Sequence, residues 1–231
     1  MLVRFFIIVV AIFFATPFSL RSETISIDSA NALLLETRDK IYNFDNNDSI
    51  ISKNLSQCRL SFQDIVEKKE RLFLLAKVQY FEGLFSLKKR QVDLSEKHFT
   101  SCIALLTTLT RECGEFSDAY SLIADSYIQI MLHKNIAYQM INGAKLKTLP
   151  EKAIRLDSGN TKAYQSLAVY CMNAPQALGG NIPKAIVMLS SLSSRDKGEM
   201  FNIYYLLGNA YMKLSNSKLA IKYLRLAHSI Y

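Results

Sequence analysis

The stretch Leu206-Leu-Gly-Asn-Ala-Tyr-Met-Lys-Leu214, followed by Lys218-Leu-Ala-Ile-Lys-Tyr-Leu-Arg-Leu-Ala227, decides the fold. Its apolar residues return every three or four positions, as one face of an α-helix requires. Two such helices separated by a short break read as an antiparallel pair. The same spacing occurs upstream. Tyr204, Leu207, Gly208 and Tyr211 stand at offsets of three, one and three, as do Tyr164, Leu167, Ala168 and Cys171, and Tyr120, Ile123, Ala124 and Tyr127. In each quartet a small residue lets two helices approach, and large residues fill the space around it. The quartets are 44 and 40 residues apart, a period typical of stacked helical repeats.

The second helices carry a looser stripe. Ala220, Leu224 and Ala227 lie in the same register as Ala185, Leu189 and Leu192, with Ala137 and Met140 as weaker members. Further helices are expected over about 28–43, capped by Asp28, and over 49–64, 67–87 and 117–132. Another is expected to begin at Asp93 or Ser95, and one from about Asn135 to run beyond the usual repeat length. Pro150 is expected near a fresh helix start, where proline is tolerated. The chain therefore divides into residues 1–22, a leader; 23–66, a helical pair; and 67–231, a repeat domain.

The leader reading rests on Met1–Arg4, the apolar run Phe5–Ala15 and the polar turn at Arg21-Ser22-Glu23. That is the form of a secretory signal peptide, and the apolar run is about half of what a bilayer span needs. An uncleaved anchor would leave the same topology. The expected location is outside the cytoplasm, periplasmic in a two-membrane bacterium. About 210 residues then remain, enough for one sizeable core or one short stack of repeats. Half of the 231 residues are hydrophobic and only four are proline, which argues against long disorder.

The formal charge of +8 is scattered rather than clustered, so nucleic acid is not indicated. The run Lys88-Lys-Arg90 suits a helix C-terminus, where cations oppose the negative dipole end. Cys58, Cys102, Cys113 and Cys171 are either buried thiols or, after export, disulfide partners. No Cys-x-x-Cys is present, and neither a metal site nor a cofactor is indicated.

These residues together resemble the tetratricopeptide repeat family. That family sets a large residue, Leu, a small residue and Tyr on its first helix, and Ala, a large residue and Ala on its second. The last unit matches at Tyr204, Leu207, Gly208, Tyr211, Ala220, Leu224 and Ala227. The unit before it matches at Tyr164, Leu167, Ala168 and Ala185 and departs at Cys171 and Leu192. The 117–156 unit matches on its first helix only, and an earlier unit around 72–110 has no clear register. Asn173-Ala-Pro-Gln-Ala-Leu-Gly-Gly-Asn-Ile-Pro183 resembles an insert of some bacterial exported members, written Ala-Pro…Gly-Gly. Physically, Pro175 ends a helix, Gly179-Gly180 supplies a turn and Pro183 opens the next helix.

The resemblance implies an all-α fold, an antiparallel helix-pair solenoid with a tetratricopeptide-like superhelical path. It also implies a concave face lined by the first helix of each pair, where such proteins receive a peptide or helix. Matching one unit at a time gives Asn202, Tyr205, Asn209 and Lys213; then Lys162, Gln165, Val169 and Asn173; then Asp118, Ser121, Asp125 and Gln129. The set lacks the basic cluster that captures a terminal carboxylate. The expected function is that of an exported adaptor or scaffold binding a protein or peptide at the cell envelope. The alternative is an accessory subunit of a solute transport system or a small-ligand-binding helical protein. An enzyme is not expected. Its one candidate is His98 with Cys102, four residues on along a helix, as a nucleophile pair.

Overall fold

The computed structural model describes residues 25–231, so the expected leader at 1–22 lies outside the described residues. Eleven α-helices follow one another: α1 (Ile27–Tyr42), α2 (Asp48–Gln63), α3 (Lys68–Lys88), α4 (Val92–Glu112), α5 (Ser117–Met131), α6 (Ile136–Asn142), α7 (Lys145–Leu156), α8 (Thr161–Asn173), α9 (Ile182–Ser190), α10 (Lys197–Lys213) and α11 (Ser217–His228). No strand occurs among the described residues. None of these helices is long and apolar enough to cross a membrane.

Polar side chains set most of the starts. Glu67, Asn135, Asn160, Asn181, Asp196 and Asn216 each accept a backbone N–H of the first turn that follows. Such a cap satisfies donors that have no partner inside the helix. At α1 the cap is Ser26, which accepts from Ser29, and not the expected Asp28, which lies inside the first turn. α4 begins at Val92, one residue before the expected Asp93.

Neighbouring helices pack in pairs, α1 with α2, α3 with α4, α5 with α7, α8 with α9, and α10 with α11. The first members also touch in series, α3 with α5, α5 with α8, and α8 with α10. One apolar core runs from α1 to α5 around Leu34, Ile51, Phe62, Phe99 and Leu106, and a second joins α8, α9 and α10 around Leu189, Ile203 and Leu207.

The small positions decide how closely each pair packs. A Cβ on Gly208 would stand 2.7 Å from the Leu224 side chain, and one on Gly83 2.6 Å from the Phe99 ring. The two glycines thus play one role, each against a residue sixteen positions later (83 to 99, 208 to 224). This sets the register of the early unit, which its sequence alone leaves open.

The 117–156 unit differs from expectation. Its second helix is α7, which packs on α5 through Pro150 and Ala153. The expected stripe members Ala137 and Met140 lie on α6, which has no buried residue; Met140 is 79% exposed. The long helix expected from Asn135 is broken around Gly143 and Ala144. Pro150 sits inside α7 rather than at its start, and is fully buried. There it removes one ladder hydrogen bond. Leu146, Pro150 and Ala153 repeat the four-and-three offsets of Ala220, Leu224 and Ala227, so the proline occupies the large position.

The insert between α8 and α9 is a folded loop. Gly179 has φ +97°, which favours glycine. A Cβ on Gly180 would lie 1.9 Å from the Ala174 carbonyl oxygen. The Asn181 amide donates to the Cys171 carbonyl at 2.7 Å, and the Tyr170 hydroxyl donates to the Leu178 carbonyl at 2.5 Å. Gly180→Ala must therefore move backbone. The Asn181 amide is expected to exchange with solvent at least about tenfold faster in that variant, as hydrogen exchange by NMR would record.

The N-terminal pair is not a separate appendage. α1 packs against both α3 and α10, so the first helix meets the last pair.

Candidate functional site

The inner helices meet around a pocket of about 120 Å³. α3 contributes Lys77, α5 contributes Asp118 and Asp125, α8 contributes Lys162 and Gln165, and α10 contributes Asn202. Phe73, Phe81 and Leu122 supply apolar wall. α1 closes one side through Leu35, Arg38 and Tyr42.

The closing contact is ionic. Arg38 Nη1 donates to both carboxylate oxygens of Asp196 at 2.8 Å, while Nε donates to Asp39 at 2.9 Å. Arg38 is 8% exposed. Gly198 makes room for it, because a Cβ there would stand 2.9 Å from the guanidinium carbon. Beside the pair, Tyr42 stacks on Phe201 with ring centres 5.7 Å apart, and Tyr231 packs edge-on to both. The Tyr231 hydroxyl donates to Asp39 at 2.8 Å.

Inside, several groups are incompletely matched. Lys162 is not one of them, since half of its side chain is in solvent and it pairs with Glu199 at 3.7 Å. Lys77 takes neither a salt bridge nor a hydrogen bond among the described residues; its Nζ stands 5.9 Å from the centroid of the Phe73 ring. Burial, helped by Lys162 and Arg38, pushes the Lys77 ammonium down to about 8. Asp125 accepts only the Ser166 hydroxyl, whereas Asp118 accepts the Asn160 amide at 3.1 Å and is otherwise exposed to solvent. Gln165 is 6% exposed, and its Nε2 has no partner. A buried donor left unpaired costs about 1–3 kcal/mol, so folding alone gives no reason for it.

Burial pushes the Asp125 carboxyl up to about 6, against the Ser166 hydrogen bond and the Lys162 charge, which favour its ionised form. The native protein then holds this proton more tightly than the unfolded chain does. The linked stability is full below the ordinary carboxylate range and is lost as pH rises through about 6. Urea unfolding is expected to show about 2 kcal/mol less stability at pH 7.5 than at pH 4 from this group, and Asp125→Asn should remove that difference.

Of the residues expected on the inner face, Asp118, Asp125, Lys162, Gln165 and Asn202 come together here. Gln129 lies beside the Tyr80 hydroxyl, outside the lining. Tyr205 is 47% exposed and stacks on Phe201 with centres 6.0 Å apart. Asn209 is half-buried and Asn173 is exposed, donating to the Val169 carbonyl at 2.7 Å. Lys213 is exposed near the end of α10. Val169 packs against the second core. Ser121 does not reach the inner surface; it is fully buried and accepts from Asn160 at 3.2 Å. Arg38, Tyr42 and Lys77 escaped the sequence reading, because they lie on helices where no repeat register could be read.

The pair proposed between His98 and Cys102 does not form. His98 Nδ1 lies 3.3 Å from Glu82 and 3.0 Å from the Gln79 amide, beside Arg59. Cys102 is fully buried and accepts from the Ser126 hydroxyl at 3.4 Å. Burial pushes its thiol up to about 12, so it is not a nucleophile at neutral pH. All four cysteines are unpaired, and Cys58, Cys102 and Cys171 are buried. Among the described residues no group of three or more His, Cys, Asp or Glu is placed to hold a metal ion.

Compared with known proteins, the chain matches no family model, and no curated protein matches it.

Proposed function

We propose that this chain is an exported, non-enzymatic binding protein built as a tetratricopeptide-like solenoid, with its ligand held on the inner face of the helix pairs. The observation that carries this reading is the convergence of Lys77, Asp125 and Gln165, all incompletely partnered, in one pocket. Repeated pairing of α3–α4, α5–α7, α8–α9 and α10–α11 supports the repeat architecture. The close approaches at Gly83 and Gly208 support it too.

Closure by α1 favours a small ligand over an extended peptide, because Arg38 and Tyr42 lie across the inner face of α10. A solute-binding or transport-accessory role fits this best. The adaptor reading keeps one specific support: Tyr205 is half-exposed beside the pocket and free to pack a partner's side chain.

Native mass spectrometry on protein isolated gently from the cells that make it separates the two. A bound small-molecule mass, lost in Gln165→Met, supports the pocket. A polypeptide captured by a photo-crosslinker at Tyr205, with no small molecule bound, supports the adaptor instead.

A further inference from the structure

The pocket's unmatched groups are of both signs, and their arrangement names a ligand class. Arg38 is satisfied by Asp39 and Asp196, and Lys162 by Glu199. What remains is a pair of donors, Lys77 Nζ on α3 and Gln165 Nε2 on α8, and one carboxylate, Asp125 on α5; Asp118 is exposed and met by solvent. Lys77 feels the charge of Asp118, yet the two do not come within ion-pair distance. Asp125, whose one partner is the Ser166 hydroxyl, has no cation within that distance either. A ligand anion alone would leave Asp125 unmet, and a cation alone would leave Lys77 and Gln165 unmet.

We infer that the pocket binds a small zwitterion, an α-amino acid, whose carboxylate accepts from Lys77 and Gln165 and whose ammonium donates to Asp125. This rests on the small-ligand reading proposed above. Size agrees: a dry cavity of about 150 Å³ accepts benzene, so 120 Å³ holds about five or six non-hydrogen atoms. That is the size of glycine or alanine. Phe73, Phe81 and Leu122 form apolar wall in the same pocket, so charges there are screened less than on an open surface. Gln165 supplies the sharpest indication. Its amide is nine-tenths buried and lacks a partner, which a bound carboxylate provides.

Isothermal titration of the full chain with glycine and L-alanine tests this, with acetate and methylammonium as the two half-ligands. Glycine or alanine should bind at least about tenfold more tightly than either half. Gln165→Met and Lys77→Met should each weaken binding at least about tenfold while the unliganded melting temperature stays equal or rises. A merely structural role would instead lower that temperature. Acetate binding as well as glycine would overturn the zwitterion and leave the pocket reading intact. So would a different class of small molecule found in the isolated protein. No small ligand of any kind, together with a polypeptide captured at Tyr205, would overturn both.

Discussion

Arg38→Ala is expected to lower the unfolding free energy by about 3 kcal/mol. Arg38 is nearly buried, and its guanidinium serves two carboxylates at once. Removing one partner of a buried pair costs about 3–5 kcal/mol, because the other charge is left uncompensated. The low end applies here, since Asp39 and Asp196 keep about a third of their side-chain surface in solvent. Asp196 also retains its second bond, from the Glu199 amide that it caps. Urea denaturation reads the loss. The radius of gyration in small-angle scattering should rise as α1 separates from α10. A drop in stability with no change in dimensions would mean that Tyr42, Phe201 and Tyr231 hold the contact without the ion pair.

Phe99→Ala is expected to cost more, about 4 kcal/mol, because a fully buried ring is removed and a cavity remains. The informative experiment pairs it with Gly83→Ala. Alanine in a helix interior is ordinarily favoured over glycine by about 1 kcal/mol. At Gly83 the new methyl meets the Phe99 ring at 2.6 Å, and such overpacking costs about 1–3 kcal/mol. The clash should win, giving a net loss of about 1–2 kcal/mol. In the Phe99→Ala background the obstruction is gone, so Gly83→Ala should become stabilising. That reversal of sign in a double-mutant cycle demonstrates the contact. Additive effects would show that the Phe99 ring does not limit what residue 83 can be.

The helical fold was legible because its signals are local. The quartets at Tyr120, Tyr164 and Tyr204 state the helix period, the face and the close approach within eight residues. The register of α3 was obscured because Gly83 is flanked by Glu82 and followed by Ser86, where the other units carry an apolar residue and Tyr or Cys. Phe99, the residue that identifies its role, comes sixteen positions later on another helix. The 135–156 stretch misled for a related reason. Met140 has helical spacing, yet it lies on the exposed side of α6, and a proline takes the large position on α7. Inner-face residues such as Asp125 and Gln165 followed from register, since a residue's face on a helix is set by its position. That they are short of partners did not, because that depends on what four other helices bring. Least legible was the closure: Arg38 and Asp196 are 158 residues apart, and no local pattern marks either for the other.

That closure changes how the molecule must fold. In a row of helix pairs where each touches only its neighbours, stability sums locally, and the ends can fray independently. Joining α1 to α10 turns the row into a circuit. The contact gains nothing until nearly the whole chain between is ordered, which places it late and makes it slow, as contacts between distant positions are. Once made, it denies both ends their freedom to open alone. Loosening α10 should then accelerate amide exchange in α1, at the far end of the sequence, as readily as in its neighbour α11.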